Sequence, residues 1–341
     1  MKTLKQIFQK WLWKGLILLC FFYNTNFVQA QDMHFTQFFS SPLYLNPAFA
    51  GANVCSRLST TYRNQWPGIS TTYKSYLVSF DHYIQAYNIG IGILFGNDVA
   101  GTGQLRTTII NPIFAYELKI NRKFAMRFGV QPGLGIKSIN FNNLLFGDQI
   151  ARGGNVATIE IPTKPKSYFD IGAGGLFYSK KYWIGTSVYH LTQPDVSLTG
   201  DKTGVLPVKY SIHGGAKFSL NEKERNLYEQ KSISPAFNFQ GQKKFNELDI
   251  GLYFTQYIFN AGVWYRGIPF FKDASGYTIN DAIAVIIGIR TDRLNIGYSY
   301  DVTVSQLSSV SNGAHEITLS YQLCKFRKKK KSRLMIPCPK F

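Results

Sequence analysis

Ser211 and His213 are the side chains of this chain whose types and spacing come nearest to those of a nucleophile and its base. They stand two positions apart in an alternating stretch, so a β-strand would place both on one face. Nucleophilic catalysis also needs a group that orients the base and donors that stabilise an oxyanion, and no residue has a telling spacing for either role. We therefore expect that the protein is not an enzyme.

The histidines and glycines predict no metal or cofactor site. No two of the five histidines have the spacing of metal ligands. The glycine-rich stretch 172–175 lies in a strand-like pattern with no helix after it, whereas a phosphate-binding glycine loop opens a helix. Inward-facing glycines in a strand more often provide curvature or room for a plug. The histidines are His34, His82, His190, His213 and His315.

Apolar and small polar residues alternate almost without a break from about residue 87 to residue 323. In the stretch 87–96, Ile89, Ile91 and Ile93 face one side of a strand, and glycines face the other. The polar side is so rich in Gly, Ser, Asn and charge that it would make a poor dry core. Apolar residues outside and polar residues inside are typical of a β-barrel in an outer membrane.

The spacing of the strands predicts an antiparallel transmembrane β-barrel of about 14 strands, an even number as single-chain barrels prefer. Alternate connections are mostly short and the others include long ones, which predicts short periplasmic turns, longer extracellular loops and periplasmic termini. The predicted strands are 54–64, 72–82, 87–97, 104–118, 123–138, 168–179, 181–190, 208–220, 232–241, 245–255, 258–266, 280–290, 293–302 and 314–324.

The composition agrees with a barrel and excludes a helical membrane protein. Phe and Tyr are abundant, at 27 and 21 of 341 residues, which suits aromatic girdles at two membrane interfaces. The mean hydropathy is only −0.10. No stretch approaches the ~20 apolar residues of a transmembrane helix.

The chain begins with the features of a secretory signal peptide over residues 1–30. A lysine-rich start precedes the short apolar stretch 15–23, and Val28-Gln29-Ala30 ends in small residues suited to cleavage. We therefore expect export and a place in the outer membrane of a Gram-negative bacterium. Residues 31–53 form an N-terminal segment that either caps the periplasmic mouth or enters the lumen as a plug. Its two prolines, Pro42 and Pro47, predict neither helix nor paired strand.

The positive charge is concentrated at the two ends of the chain. Four lysines of the first 30 residues and eight basic residues after position 324 account for most of the formal net charge of +19. The barrel, 54–324, carries no basic stripe, so a nucleic-acid partner is not expected. Residues 325–341 form a basic periplasmic tail, which the pattern predicts to be a solvated arm, a headgroup contact or a docking site for an acidic partner.

Charged residues of both signs face the predicted lumen. Opposite charges across a lumen pair and bridge it, which favours a narrow, blocked or occupied interior over an open pore. By strand parity these residues are Arg57, Arg63, Arg127, Lys137, Lys209, Lys217 and Arg266, with Asp81, Asp170, Glu247, Asp249, Asp301 and Glu316.

Cys55 and Cys324 form a candidate disulfide. Cys55 opens the first predicted strand and Cys324 closes the last, and both face inward by parity. These strands pair antiparallel in a closed barrel, and opposed residues lie within disulfide reach. Cys338 would remain unpaired, so the cysteines do not make a complete disulfide framework.

Four sets of segments, in order along nearly the whole mature chain, resemble the PorP/SprF family of type IX secretion outer-membrane proteins. The resemblance implies a non-enzymatic outer-membrane barrel of type IX secretion, a system tied to gliding motility in some bacteria. The implied partners are outer-membrane lipid, an exported surface protein with a C-terminal sorting domain, and periplasmic type IX or peptidoglycan-linked components. The segments are 31–38 with 46–51 and 62–67; 146–149; 170–172 with 182–185 and 190–194; and 300–305 with 313–317.

The resembling segments contain the candidate partner-contact residues Asn46, Pro47, Arg63, Trp66, Phe146 and Asp148. Asn46 and Pro47 either form the turn that starts the barrel or contact a secretion partner. Phe146 and Asp148 either pack their loop, with Asp148 bonding local backbone, or present a recognition surface. Asn46-Pro47-Ala48 is also similar to a tripeptide of FadL-type barrels, which makes a transporter of hydrophobic solutes the rival hypothesis. A structural envelope anchor is the third alternative.

Overall fold

The structure is a computed structural model. Met33–Phe341 form one compact unit. The structure describes residues 32–53, 55–69, 73–154, 156–160, 162–200, 204–221, 231–243, 245–272, 278–304, 312–323 and 336–337.

Antiparallel strands close into a barrel of fourteen spans. Strands follow their sequence order around the wall, β15 pairs with β1, and β10 pairs with both β8 and β11. The two-residue β9 continues β8 along β10, so these two strands make one span. The strands are β1 Ser56–Gln65, β2 Tyr73–Ile84, β3 Ile89–Ala100, β4 Leu105–Lys119, β5 Ala125–Ser138, β6 Lys166–Tyr178, β7 Tyr182–Tyr189, β8 Lys209–Ala216, β9 Phe218–Ser219, β10 Lys231–Gln242, β11 Phe245–Gln256, β12 Phe259–Lys272, β13 Thr278–Arg290, β14 Leu294–Thr303 and β15 Ala314–Leu323.

Every predicted strand is confirmed, and so is the predicted direction in which side chains face. Along β5, Arg127 and Gly129 face the interior, whereas Phe128, Val130 and Leu134 are exposed on the outer surface. This outer apolar surface is suited to lipid and would be costly in water. No helix among the described residues has the length and apolar character needed to cross a membrane.

The two mouths of the barrel differ in their connections, also as predicted. At the mouth where β1 begins, here called the proximal mouth, the connections are short turns except for 220–230. At the opposite or distal mouth lie the long connections 139–165 and 190–208. The first of these contains a 3₁₀ turn, Phe141–Asn143, and a short helix, Gly147–Ala151.

Residues 33–53 fill the lumen and are called the plug below. They contain a one-turn helix at Pro42–Leu45 and a 3₁₀ turn at Pro47–Phe49. The prediction that the two prolines exclude a helix here was wrong, because each proline occupies a first helical position, where its missing N–H removes no hydrogen bond. The predicted alternative of a segment that enters the lumen is the one the structure adopts.

The plug supplies a large share of the apolar core. Its buried side chains Phe38, Phe39, Leu43 and Phe49 belong to the same hydrophobic cluster as wall residues. Phe38 and Phe39 contact Trp264 and Trp183 edge-on, with ring centroids 4.8 and 5.8 Å apart. Ile336 of the basic tail is also buried in this cluster, so the tail is anchored at that point.

The predicted disulfide falls partly on residues outside the described part of the chain. Cys55 is disulfide-bonded, but Cys324 and Cys338 are not among the described residues. Ser56 and Leu323, which adjoin Cys55 and Cys324 in sequence, are opposed in the β1–β15 ladder. This register favours Cys324 as the partner of Cys55.

We expect non-reducing digestion to yield a peptide that joins Cys55 to Cys324, because opposed inward-facing residues of paired strands lie within bridging distance. Mass spectrometry of the unreduced digest measures it directly. Cys324→Ser should free the Cys55 thiol for alkylation, whereas Cys338→Ser should leave it blocked. A peptide joining Cys55 to Cys338 would show that the assignment is wrong.

Candidate functional sites in the lumen and on the distal loops

A carboxylate of the wall is hydrogen-bonded to the backbone near the start of the plug. The two oxygens of Glu316 on β15 accept hydrogen bonds from the backbone N–H groups of Thr36 and Gln37, at 2.7 and 2.9 Å. The Gln37 side chain accepts from Thr318 at 2.8 Å and donates to Ser299 at 3.3 Å. The plug is therefore held by its main chain as well as by its side chains.

Two guanidiniums complete these contacts, and the group is called the distal clamp below. Arg63 lies 2.8 Å from Asp301 and 3.1 Å from Glu316. Arg266 lies 3.1 Å from Asp249 and 3.2 Å from Asp301. Both arginines donate to the Thr36 hydroxyl, at 2.7 and 3.0 Å. The prediction that luminal charges of opposite sign pair is confirmed for these residues, and it is the plug that occupies the interior. The distal clamp consists of Arg63, Arg266, Glu247, Asp249, Asp301 and Glu316.

Asn46 and Pro47 lie at the other end of the plug, fully inside the barrel. The Asn46 amide donates to the carbonyls of Gly175 and Thr186, both at 3.0 Å, and accepts from Ala48 N at 2.9 Å. Pro47 begins the 3₁₀ turn that this cap stabilises. Both residues are buried, so in this structure they fix the plug to the wall.

Arg127 and Asp81 receive the backbone that leaves this turn. Arg127 donates to Ala48 O at 2.8 Å and to Ala50 O, and it pairs with Glu117 at 2.6 Å. Asp81 accepts from Gly51 N at 2.8 Å and pairs with Arg57, also at 2.8 Å. Glu117 was missing from the predicted luminal set, although its odd position on β4 places it inward with Ile113 and Ala115.

Two inward-facing glycines give the plug its room. A Cβ on Gly90 would lie 1.8 Å from Ala50 O, and one on Gly129 would lie 2.4 Å from Ala48 N. Neither separation is sterically possible, so the plug backbone contacts the wall where side chains are absent. This agrees with the expectation that inward glycines leave room for a plug.

Ser211 and His213 face the lumen together but are not arranged as a nucleophile and base. Ser211 Oγ is hydrogen-bonded to Ser187 Oγ at 2.7 Å. His213 is fully buried, stacks on Phe49 with centroids 5.8 Å apart, and has no hydrogen-bond partner among the described residues. Its role in this structure is packing against the plug.

His34, at the start of the plug, meets acidic residues inside the barrel. Its Nε2 lies 2.7 Å from Glu247 Oε1. Burial lowers the pKa of the His34 imidazole below its ordinary value, and this outweighs the opposing effect of the Glu247 carboxylate. His34, Glu247 and Asp249 present atoms close enough to share one metal ion. Sequence spacing missed this group because plug folding alone brings His34 to β11.

Asp148 organises the longest distal loop. Its carboxylate accepts from Ile159 N at 3.0 Å and from Thr158 Oγ1 at 2.9 Å, and it pairs with Arg152. Desolvation pushes the pKa of Asp148 upward, but these bonds outweigh it and hold the pKa below its usual value. Phe146 stacks on Phe141 with centroids 5.4 Å apart. Both residues therefore order the loop rather than project from it.

The ordered loop presents apolar side chains to the outside. Ile150 and Ile159 are 63% and 75% exposed, and Leu145 is comparably exposed. Trp66 lies at the same mouth. Its backbone N–H donates to Gly313 O at 2.8 Å, and its ring contacts Tyr73 edge-on with centroids 5.4 Å apart. The backbone of Trp66 is left-handed, with a φ of 57°, which is rare for a bulky residue. The chain therefore turns sharply at Trp66, directly after β1.

A closed barrel with an apolar exterior and a plug locked into a charged lumen defines an integral membrane protein of the outer-membrane type. Within that class the sequence identifies one family. The family model for the type IX secretion system membrane protein PorP/SprF matches residues 27–321, and the chain belongs to this family. No curated protein sequence matches the chain.

Solved barrels show a general likeness. The toluene transporter TbuX of Ralstonia pickettii has 10% identity and a TM-score of 0.47, with 83% of this chain and 93% of that chain covered. A FadL homologue of Pseudomonas aeruginosa has 12% identity and a TM-score of 0.42, with 83% and 94% covered. At these scores the likeness carries no argument about substrate.

Proposed function

We propose that this type IX secretion component is a non-enzymatic docking barrel that receives or anchors an exported surface protein at its distal loops. In this proposal the protein lies in the outer membrane after cleavage of residues 1–30. The distal mouth faces the cell exterior. The proximal mouth faces the periplasm and contacts secretion or peptidoglycan-linked components.

The plug is the observation that carries this proposal. It is bonded to the wall from the distal clamp down to Arg127 and Asp81, and its aromatic side chains occupy the lumen between them. A barrel filled in this way is poorly suited to diffusion of a solute along its axis. The surfaces that remain accessible to a binding partner are then the loops at the two mouths.

The distal loop 139–165 is the best candidate for the docking surface. Asp148 and Phe146 hold its backbone in place, and Leu145, Ile150 and Ile159 are exposed on it. A rigid loop pays less conformational entropy on binding than a mobile one. Apolar side chains on an ordered extracellular surface are typical of protein contact sites.

The test is quantitative co-purification from the native host with a tagged barrel. Ile159→Asp and Ile150→Asp should each reduce recovery of an exported protein with a C-terminal sorting domain by roughly tenfold, because burial of one such side chain contributes about 1.5 kcal/mol. The matched control is Ile120→Asp. Ile120 is 50% exposed but lies in a turn at the proximal mouth. Equal recovery from all three variants would contradict the proposal.

A transporter of hydrophobic solutes is the second candidate, and an interruption in the wall favours it. The β4–β5 ladder pairs Ile110 with Leu134 and Phe114 with Val130, but residues 111–113 and 131–133 between them make no pair in this ladder. On their other sides these residues pair with β3 and β6. Pro112 and Pro132 lie opposite each other there, and neither has an N–H to donate. Such a seam offers a lateral route between lipid and lumen.

The transporter hypothesis predicts uptake of a fluorescent fatty acid into proteoliposomes that carry the purified barrel. Pro132→Val restores one donor to the seam and should slow that uptake. Uptake at the rate of protein-free vesicles would leave docking as the function. A barrel that copurifies with lipid, without an exported partner, would favour transport instead.

A further inference from the structure

The buried charges around the start of the plug do not balance. The distal clamp contains the carboxylates of Glu247, Asp249, Asp301 and Glu316 but only the guanidiniums of Arg63 and Arg266. All except Glu247 are nearly inaccessible to water. Unpaired charge in such surroundings is costly, so the cluster favours a further cation.

Two of these carboxylates, Glu247 and Asp249, lie beside a histidine, a side chain that commonly binds metal ions. His34 Nε2 is 2.7 Å from Glu247 Oε1, and ligand atoms of His34, Glu247 and Asp249 lie within 4.8 Å of one another. The side chains of His34 and Glu247 retain about a quarter of their exposure, at 24% and 27%. An ion can therefore reach the group from solvent.

Asn238 supplies an independent observation at the same place. It is 2% exposed, and its amide nitrogen lies 3.2 Å from Asp249 Oδ2. Its amide oxygen has no hydrogen-bond partner among the described residues. A small cavity is lined by His34, Asn238, Gln240 and Ser211 and borders this group. A buried, unpartnered amide oxygen on a side chain that already bonds Asp249 is available as a ligand for a cation.

We propose that His34, Glu247, Asp249 and the Asn238 amide oxygen bind one Zn²⁺ ion. One imidazole with oxygen ligands suits Zn²⁺, whereas Ca²⁺ and Mg²⁺ prefer oxygen ligands alone. Arg266 contacts both carboxylates at 3.1 and 3.5 Å, which weakens the site, but the remaining negative charge exceeds what the guanidiniums neutralise. The ion takes the carboxylate oxygens that Arg266 leaves free.

The site would join the plug to the wall. His34 belongs to the plug, Asn238 to β10, and Glu247 and Asp249 to β11. Metal binding at this position stabilises the plugged state over any state in which the plug has left the lumen. This inference is independent of which partner docks at the distal loops.

The test is zinc titration of the full-length barrel, purified in detergent with a histidine-free affinity tag and stripped with a chelator. Calorimetry and elemental analysis should give one bound Zn²⁺ per chain. His34→Ala and Asn238→Leu should each weaken binding by about tenfold or more. The matched control is His315→Ala, because His315 contacts Tyr298 rather than any carboxylate and should not affect binding.

Heat-dependent mobility on a gel shows whether each variant remains a folded barrel, and Co²⁺ absorption of the wild-type protein gives a second readout. Bands typical of tetrahedral nitrogen and oxygen ligands are expected, and excess Zn²⁺ should abolish them. Less than about 0.2 equivalents of Zn²⁺ bound by the wild type would overturn the proposal. Unchanged affinity in a folded His34→Ala barrel would overturn it as well.

Discussion

Removing the plug should convert a closed barrel into a conducting one. Deletion of residues 33–52 withdraws Phe38, Phe39, Leu43 and Phe49 from the lumen, and the wall then faces inward mainly with glycine, serine and charged side chains. Such a surface holds water in a barrel of this strand number. In planar lipid bilayers the wild-type protein should give no steady conductance steps, whereas the deleted protein should give them at once.

A point substitution provides a finer form of the same prediction. Gly129→Val places side-chain atoms where Ala48 N lies, only 2.4 Å from the Cβ position, so the plug cannot remain seated. The matched control is Gly175→Val. A Cβ at Gly175 meets nothing closer than Phe128, at 3.9 Å, so this variant should stay closed. If a folded Gly129→Val barrel shows no more conductance than the control, the plug does not close the lumen.

The wall could be predicted from the sequence because the membrane imposes one rule on every span. Side chains that face lipid must be apolar, whereas their neighbours that face the lumen need not be. The alternation along a strand is therefore enough to predict that Phe128 faces lipid and Arg127 faces the lumen. The same parity placed Arg63, Asp301 and Glu316 in one lumen. Parity alone does not fix the stagger of β1 against β15, and the opposition of Ser56 and Leu323 is seen only in the structure.

The sequence offered a plug as one of two alternatives, but the conformation and contacts of the plug could not be predicted, because no periodicity governs them. Residues 33–53 have neither the period of a strand nor that of a helix, and the bond from Gln37 N to Glu316 joins the two ends of the chain. Asn46 was ambiguous for the same reason. An Asn-Pro pair predicts a turn, but only the folded barrel shows that its amide bonds Gly175 and Thr186.

The distal loop shows the same limit. Local backbone bonding by Asp148 was one of two alternatives that the sequence left open, since a short acidic side chain in a loop commonly bonds nearby backbone. The exposure of Ile150 and Ile159 was not foreseen, because apolar loop residues can equally pack inward. Facing in a loop depends on its own tertiary contacts, here the stacking of Phe146 on Phe141 and the Arg152–Asp148 pair.

Arg63→Met should cause a large loss of stability. The guanidinium pairs with Asp301 and Glu316 and donates to Thr36, so its removal leaves two buried carboxylates short of positive charge. Breaking a buried pair in this way costs about 3–5 kcal/mol. Because Glu316 also holds the backbone of the plug, we expect the plug to loosen before the wall unfolds.

Urea unfolding of the barrel in lipid, followed by the fluorescence of Trp183 and Trp264 in the plug contact, measures this loss. Arg152→Met is the matched control. It removes an arginine–carboxylate pair on the distal loop, where water screens the interaction, so a far smaller effect is expected. Equal losses in the Arg63 and Arg152 variants would mean that the clamp does not hold the plug, because only Arg63 contacts it.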